Sequence, residues 1–277
     1  MRSFVASICE LGIIITQNME IKEIWKKINP SICQIIHRQN GRVVSVGTGF
    51  KSENYIITNN HVYNPTNSDE ITIQFKKLDG KGVSLEKKYT SENFISLLKD
   101  GMHKDSWDFA ILEDPHFSTI PNLKISDQKN EIEIGQKCAF LGFPFSSNYL
   151  TIHEAIVSAR YTNQKNNVKY IQLDASVNGG NSGGPLIEIE TQEVIGIITL
   201  KKTGFSERFR DLNESFKTNI QLFEKNSGGV SISGIDPIEA FKIIQNQLSM
   251  LGQEMERSSN VGIGFAFELD EVRNGLK

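Results

Sequence analysis

The sequence VNGGNSGGPL, residues 177–186, places one serine among four glycines and a proline. Stretches rich in β-forming apolar residues lie on both sides of it. Glycine at this density indicates backbone with positive φ, or close approach of another chain segment. A tight loop of this composition can present the Ser182 hydroxyl as a nucleophile and aim its own N–H groups at one point. A plain glycine-rich turn between two strands is the alternative that this stretch leaves open.

The order of residue types along the chain separates three kinds of serine hydrolase. Residues 180–184 also fit the G-x-S-x-G elbow of α/β-hydrolases, but that fold needs a helix after the serine and a histidine later in the chain. Here all five histidines precede Ser182, and a strand-like stretch follows it. The subtilisin order needs an aspartate before the histidine, and the first aspartate, Asp69, follows His61. What remains is His, then Asp, then Ser, the chymotrypsin order.

Two further residues complete a candidate catalytic set with Ser182. His61 comes just after the strand-like stretch YIIT, residues 55–58, and Asp108 heads the apolar stretch FAIL. A neutral imidazole can take the serine proton, and a desolvated carboxylate can fix its tautomer. The sequence therefore predicts a general base at 61 and an orienting acid at 108. Asp100 and Asp105 are rival acids, but each lies in a polar stretch.

Composition excludes several functional classes. The chain has 277 residues, 38% of them hydrophobic and 23% charged, as is typical of a globular protein. A net charge of −3 gives no electrostatic footprint for nucleic acid. Its three cysteines (Cys9, Cys33 and Cys138) are far apart and odd in number, so neither a disulfide framework nor a zinc site is expected. We expect no metal, no cofactor, no nucleic acid and no membrane partner.

The N-terminal residues 1–18 give an ambiguous indication of the cellular compartment. Arg2 precedes an apolar stretch, as in a signal peptide, but Glu10 interrupts it and no small-x-small cleavage site follows. Together with the lack of a disulfide framework, this predicts a cytoplasmic protein. A periplasmic or secreted location is the alternative if residues 1–18 act as a signal.

The rest of the chain is predicted to form many short strands and two helical regions. Residues 20–28 have helical apolar spacing, and about twelve strand-like stretches follow, a pattern typical of antiparallel β-barrels or a sandwich. Residues 201–258 break that pattern. Apolar residues recur there every three or four positions in two stretches, and the second begins with Asp236, Pro237 and Glu239, which fit an N-cap, a first-turn proline and a first-turn acid. We expect a helical hairpin inserted into a β protein.

Nine segments in family order resemble trypsin-like serine proteases of the chymotrypsin fold, and within them the HtrA-type (high-temperature-requirement) branch. They are NPSI (29–32), GTGF (47–50), ITNNHV (57–62), DFAIL (108–112), GFP (142–144), IVSA (156–159), QLDA (172–175), GNSGGPL (180–186) and VGIGFAF (261–267). The resemblance implies a mainly β fold of two perpendicular six-stranded antiparallel barrels, with the catalytic residues at their junction. It divides residues 19–277 into a first barrel (about 31–125), a second barrel (about 126–200 and 259–272) and the insertion (about 201–258).

The same resemblance assigns roles to single residues. The N–H groups of Gly180 and Ser182 are expected to form the oxyanion hole. Ser176, Val177 and Asn178 are expected at the base of a small, uncharged specificity pocket, and the strand at Thr199 and Leu200 beside the substrate backbone. Two departures from the family are the insertion itself and the expected lack of a PDZ domain. In addition, Asn181 stands where trypsin-type enzymes carry an aspartate, so activation by N-terminal processing is not expected.

The predicted function is hydrolysis of peptide bonds in protein substrates by a serine endopeptidase. Its partners would be a protein or peptide substrate and a regulatory protein at residues 201–258, which would gate activity. A peptide-binding or chaperone-like module that uses the same groove with little turnover is the alternative.

Overall fold

A computed structural model of the chain describes residues 21–64, 67–103, 105–127, 132–199, 204–226, 236–258 and 262–277. Strands in two sheets make up most of the described chain, with helices at both ends and one helical hairpin. The predicted tail, residues 1–18, lies outside the described residues. Of the helices in the described ranges, none combines the length and the apolar character that crossing a membrane requires.

The first sheet contains seven antiparallel strands in the order β5-β4-β1-β2-β3-β7-β6. They are β1 (Ile32–Gln39), β2 (Arg42–Ser52), β3 (Tyr55–Thr58), β4 (Glu70–Lys76), β5 (Val83–Thr90), β6 (Leu98–Met102) and β7 (Phe109–Glu113). The mainly β architecture is confirmed, but this unit has one strand more than the expected six. Its extra strand, β6, is an edge strand of exposed and half-buried residues, so it carries no apolar alternation that a sequence could reveal.

The second sheet is a closed six-stranded barrel in the order β10-β13-β12-β11-β8-β9, as expected. Its strands are β8 (Lys137–Gly142), β9 (Thr151–Asn163), β10 (Val168–Leu173), β11 (Pro185–Glu188), β12 (Val194–Thr199) and β13 (Gly264–Phe267). β13 follows the helical hairpin and pairs with both β10 and β12, which closes the barrel. The exact domain boundaries given above stay predictions.

Six α-helices in the described ranges accompany the sheets. They are α1 (Ile21–Ile28), α2 (Asn60–Tyr63), α3 (Ser91–Ile95), α4 (Gly204–Asn226), α5 (Pro237–Ser258) and α6 (Asp270–Leu276). The predicted hairpin corresponds to α4 and α5, and Asp236 Oδ1 accepts the Ile238 N–H at 2.8 Å, as an N-cap does. The apolar side chains of α5 that recur every three or four residues are only partly buried, with Phe241, Ile244, Leu248 and Leu251 each between 40% and 56% exposed.

A shared apolar core joins the two sheets. Ile24 and Ile28 of α1 are buried together with Phe50 and Ile57 of the first sheet and Leu141 of the barrel. Side chains from both sheets contribute to one packed cluster, which fixes their relative position. The segments that carry the predicted catalytic residues meet near this junction, where the Asn60 N–H donates to the Asp108 carbonyl at 3.2 Å and the Thr48 N–H donates to the Ser182 carbonyl at 2.9 Å.

The buried His37 of β1 is expected to make the stability of the protein depend on pH. Its ring is buried, Nε2–H donates to the Val62 carbonyl at 2.8 Å, and the Ser68 hydroxyl lies 3.2 Å from Nδ1. Burial lowers the pKa of His37 below its ordinary value of 6.5, although the Val62 carbonyl opposes this. Below pH about 6.5 the unfolded chain therefore binds a proton that the folded chain does not, and the free energy of unfolding falls as pH decreases.

We expect His37→Gln to reduce this loss of stability between pH about 6.5 and the lower folded pKa. The contribution of one such group is at most about 1.4 kcal/mol per pH unit. Urea unfolding at several pH values measures it, and an unchanged pH slope in the variant would contradict the assignment. His153 on β9 also has its pKa lowered by burial, so the remaining slope should fall further in the double variant His37→Gln, His153→Gln.

Candidate active site

His61 and Asp108 meet at the edge of the first sheet. His61 is in the short helix α2 directly after β3, and Asp108 immediately precedes β7, which pairs with β3. Asp108 Oδ2 lies 2.6 Å from His61 Nδ1, and its Oδ1 accepts the backbone N–H of His61 at 3.0 Å. Because a carboxylate only accepts, Nδ1 carries the proton and Nε2 is left free to act as a base. The Asp108 side chain is 5% exposed and the His61 side chain 35%, so the base is open to solvent while the acid is not.

The backbone of Asp108 is held in an unusual conformation. Its φ is +43°, a left-handed value that aspartate tolerates better than most residues. In this conformation the Asp108 carbonyl accepts from Asn59 Nδ2 at 2.9 Å and from the Asn60 N–H at 3.2 Å. The acid is thus tied to the segment that carries His61 through both its side chain and its main chain.

Glycine is required at two positions of the loop that carries Ser182. At Gly180, φ is +100° and a Cβ atom would lie 2.0 Å from the Phe143 carbonyl oxygen. At Gly183, φ is +86° and a Cβ atom would lie 2.1 Å from the Thr48 carbonyl oxygen. Any side chain at either position would displace the backbone of a neighbouring segment. The loop, which connects β10 to β11, is therefore pressed against both sheets.

Two amides of this loop have the pattern expected of an oxyanion hole. In the described part of the chain, the N–H groups of Gly180 and Ser182 donate no hydrogen bond. The amide between them differs, because the Asn181 N–H donates to the Asn178 carbonyl at 3.0 Å. The Gly179 carbonyl accepts from the Phe145 N–H at 2.7 Å, which fixes the orientation of the Gly179–Gly180 peptide. Unpaired N–H groups on either side of a paired one are available to a developing oxyanion.

The Ser182 hydroxyl makes no hydrogen bond with any described residue. Its Oγ is buried. The Ser182 main chain is fixed, since its carbonyl accepts from the Thr48 N–H at 2.9 Å and the next N–H, of Gly183, donates to Ile198 at 2.9 Å. The structure thus forms the His61–Asp108 contact but no Ser182–His61 hydrogen bond. Such bonds are often long without substrate and shorten when substrate binds.

Thr48 of β2 is a site residue to which sequence reasoning gave no role. Its hydroxyl donates to the Gly180 carbonyl at 2.6 Å and accepts from the Phe143 N–H at 3.2 Å. Its own carbonyl accepts from the Thr58 hydroxyl at 2.6 Å. A single buried side chain of the first sheet thus holds the nucleophile loop of the second. The available signal was a hydroxyl residue between two glycines, in the stretch GTGF (47–50).

Thr48→Val keeps the shape of this side chain and removes its hydroxyl. The Gly180 carbonyl and the Phe143 N–H would then both be buried without that partner, and we expect a stability loss of about 1–3 kcal/mol. We also expect kcat to fall between about 10-fold and 10²-fold, because the Gly180 amide is displaced. Thr48→Ser, which keeps the hydroxyl, is the matched control. Peptide hydrolysis and urea unfolding of both variants measure the effect, and equal kcat values would contradict it.

The structure shows the surroundings of four of the five predicted substrate-binding residues. The Ser176 hydroxyl accepts the Gly262 N–H at 2.7 Å. Val177 is buried so close to Gly264 that a Cβ atom there would lie 2.5 Å from Val177 Cγ2. The Asn178 carbonyl is taken by Asn181, as described above. Thr199 is buried opposite Phe265 of β13, and Leu200 lies outside the described residues. Residues 176–178 thus adjoin the start of β13.

The rival acids do not reach His61. Asp105 pairs with His103 at 3.2 Å and is largely exposed. Asp100 is on β6, where its Oδ1 accepts the Gly101 N–H. Within the described ranges, no group of three or more histidine, cysteine or acidic residues is arranged to hold a metal ion.

The chain is similar to known proteins over most of its length. The family model "Trypsin-like peptidase domain" matches residues 41–197. A probable periplasmic serine endoprotease DegP-like of Hahella chejuensis is 29% identical over 84% of this chain and 43% of its own length. A protein of the same name from Pseudomonas fluorescens is 30% identical over 76% of this chain and 36% of its own length. The chain therefore spans less than half the length of these curated relatives.

Solved structures show the same fold. The serine endoprotease from Yersinia pestis gives a TM-score of 0.51 at 24% identity, over 66% of this chain and 58% of that one. The HtrA-type protease AlgW with tripeptide gives 0.57 at 20% identity, over 92% of this chain and 62% of that one.

The predicted cytoplasmic location is wrong, because the curated relatives are named periplasmic endoproteases. The cysteine argument failed for a physical reason. Cys33 and Cys138 are free thiols that are fully buried, and burial raises the pKa of Cys138 to about 12. Thiols that are neither ionised nor accessible resist oxidation in any compartment, so their lack of pairing says nothing about location.

The match to the family model covers more than half of the chain, and it includes His61, Asp108 and Ser182. Together with the DegP-like relatives, it shows that the chain belongs to the trypsin-like serine endoprotease family.

Proposed function

We propose that the protein is a serine endopeptidase that hydrolyses peptide bonds of protein substrates through an acyl-enzyme. The observation that carries this proposal is the 2.6 Å contact between His61 Nδ1 and a buried Asp108 carboxylate, beside a loop with a free serine hydroxyl and two unpaired amides. In the proposed reaction, Ser182 Oγ attacks the scissile carbonyl carbon and His61 Nε2 accepts its proton. His61 then donates that proton to the leaving amine, and water enters by the reverse sequence to release the acid.

Asp108 and the loop amides have separate roles in this proposal. Asp108 keeps the proton on His61 Nδ1 and stabilises the imidazolium while it exists. The Gly180 and Ser182 N–H groups bind the oxyanion of the tetrahedral intermediate. Removing one such donor in a protease typically costs about 2.7–4 kcal/mol of transition-state stabilisation.

We expect the specificity pocket to accept small or medium aliphatic side chains. The support is that residues 176–178 carry no charge and that Val177 fills the space facing Gly264. A positively charged side chain would be desolvated there without a counter-ion, which is unfavourable. The strand at Thr199 and Leu200 is proposed to pair with the substrate backbone by strand addition.

The helical hairpin is proposed to gate this pocket. It leaves the barrel just after Thr199 and returns just before Gly264, and both ends adjoin the pocket residues. Gly262 at the returning end is hydrogen-bonded to Ser176, as noted above. Movement of the hairpin would therefore move residues beside the substrate, and a displacement of about 1 Å there can cost roughly 10²-fold in rate.

One experiment tests the activity, the preference and the gating together. A fluorogenic peptide library with a varied residue before the scissile bond is offered to the wild type and to a variant with residues 206–257 replaced by a short Gly/Ser loop. We expect cleavage after small aliphatic residues, and a changed rate or selectivity in the variant. Cleavage chiefly after Arg or Lys would refute the pocket. Identical behaviour of both proteins on peptides and on an unfolded protein would refute gating.

The same assay distinguishes the endopeptidase proposal from the alternative of a peptide-binding module with little turnover. If the protein binds unfolded polypeptide, cleaves none of the library and does not react with a fluorophosphonate probe, the endopeptidase proposal fails.

A further inference from the structure

A second group of apolar side chains lies where the loop before Asp108 meets the second barrel. Val168 and Tyr170 of β10 and Phe267 of β13 are buried there together. The ring centroids of Tyr170 and Phe267 are 5.1 Å apart, and the ring of Tyr161 on β9 stacks on Tyr170 at 5.5 Å. These four residues form what we name the aromatic cluster. It is distinct from the apolar core that the two sheets share.

Trp107 joins the aromatic cluster to the shared core. Its side chain is half-buried and packs against both groups of buried residues. It is also the residue immediately before Asp108. The largest side chain of this loop is therefore held between two packed groups, and the peptide bond between residues 107 and 108 is held with it.

Hydrogen bonds close the same loop, which comprises residues 103–108. The His103 carbonyl accepts from the Ser106 N–H at 2.9 Å and from the Asp108 N–H at 3.3 Å. Asn166 Nδ2, in the turn between β9 and β10, donates to the Asp105 carbonyl at 3.0 Å. The loop is thus attached to the second barrel twice, through the Asn166 amide and through the Trp107 ring.

The conformation of Asp108 makes the attachment of residue 107 important. The left-handed φ of Asp108, +43°, persists only where the surroundings determine it. Both carboxylate oxygens are used toward His61, Oδ1 by its backbone N–H and Oδ2 by its ring Nδ1. A rotation of the peptide between residues 107 and 108 would move both oxygens at once. The orientation of the carboxylate therefore depends on how Trp107 is held.

The charge of Asp108 acts on the aromatic cluster. Burial raises the pKa of Tyr170, and the Tyr161 hydroxyl and the Asp108 carboxylate raise it further. A carboxylate raises the pKa of a phenol only where the two groups lie near each other and water screens them little. The cluster therefore belongs to the surroundings of the Asp108 carboxylate.

We infer that Trp107 is a positioning residue for Asp108. Packed between the shared core and the aromatic cluster, it holds the acid so that both carboxylate oxygens reach His61. The inference rests on the proposed roles of His61 and Asp108, and it deepens them in one respect. The second barrel, through β10 and β13, orients an acid that the first sheet carries.

Nuclear magnetic resonance tests the inference without catalysis, in a Ser182→Ala background. The His61 Nδ1–H proton, hydrogen-bonded to a carboxylate, should give a signal far downfield of the other protons. We expect Trp107→Ala to remove or broaden this signal and Trp107→Phe, which keeps a ring, to retain it. If Trp107→Ala does not fold, Trp107→Leu replaces it with the same expectation. A folded variant with the wild-type signal overturns the inference.

Trp25→Ala is the matched control, since Trp25 is the other tryptophan of the chain. It is half-buried on α1 and, of the two groups, packs against the shared core alone. This variant loses the same side chain from the same core, so we expect lower stability and an unchanged His61 signal. Loss of the signal in the folded Trp25 variant as well would show a general effect of core packing and overturn the inference.

Kinetics of the active enzyme give a second measure. We expect Trp107→Ala to lower kcat between about 10-fold and 10²-fold and to change KM less than about 3-fold, because a displaced acid affects proton transfer more than substrate binding. In an Asp108→Ala background the same substitution should lower kcat no further, because Trp107 acts through Asp108. An equal loss in both backgrounds overturns the inference. A wild type that neither hydrolyses peptides nor reacts with a fluorophosphonate refutes the proposed function, whereas the His61 signal still decides the role of Trp107.

Discussion

Replacing Ser182 with alanine is expected to lower kcat by at least about 10⁴-fold and to leave the fold intact. The three residues of such a set act as a unit, and 10⁴-fold corresponds to about 5.4 kcal/mol of activation free energy. The fold should survive because the Ser182 hydroxyl makes no hydrogen bond with any described residue, whereas the main-chain bond from Thr48 N–H to the Ser182 carbonyl is kept.

Hydrolysis of a fluorogenic peptide and labelling by a fluorophosphonate probe both measure this effect. The labelled peptide, identified by mass, should contain Ser182 in the wild type and be missing from the variant. Ser45→Ala, at an exposed position of β2, is the matched control and should be labelled and active. A Ser182→Ala protein with a tenth of the wild-type rate would show that the nucleophile lies elsewhere.

Asp108→Asn is expected to reduce kcat by about 10⁴-fold through the wrong histidine tautomer. The carboxylate accepts twice, from the His61 backbone N–H and from the ring Nδ1–H. An amide has one acceptor oxygen, so if that oxygen keeps the backbone bond, its NH₂ group faces Nδ1. The ring must then accept at Nδ1 and carry its proton on Nε2, where it cannot take the proton of Ser182.

The control for this variant is Asp105→Asn, which removes the same charge from the loop that precedes Asp108. Asp105 is paired with His103 and exposed, so we expect an unchanged kcat. Steady-state kinetics and thermal unfolding distinguish the two. If kcat fell by a similar factor in both variants, the net charge, and not control of the His61 tautomer, would govern the rate.

The candidate catalytic residues could be predicted from the sequence, because the order of residues along the chain and the local composition do not depend on how the chain folds. All histidines precede Ser182, and the first aspartate follows His61, which leaves one known arrangement. The density of glycine around Ser182 likewise predicted backbone with positive φ or a close approach by another segment, but only the structure shows that these segments are Phe143 at Gly180 and Thr48 at Gly183. The roles of these residues stay predictions until the variants above are measured.

Contacts between distant segments could not be read from the chain. Thr48 lies 132 residues from Gly180, and only the packing of the two sheets brings its hydroxyl to that carbonyl. The edge strand β6 was missed for a related reason, since few of its side chains are buried and its residues carry no alternation. Helix α6 was also unexpected, and its Val272 is buried in the core shared by the two sheets.

The helical hairpin shows most clearly what the sequence alone can predict and what it cannot. Periodicity determined that α4 and α5 form and that each carries an apolar stripe, because a helix places every third or fourth residue on one face. It could not determine what covers a stripe, since burial depends on neighbours that are remote in sequence. Only the tertiary structure decided that Gly252 of α5 lies against Asn213 of α4, while Ile244, Leu248 and Leu251 are between 40% and 56% exposed.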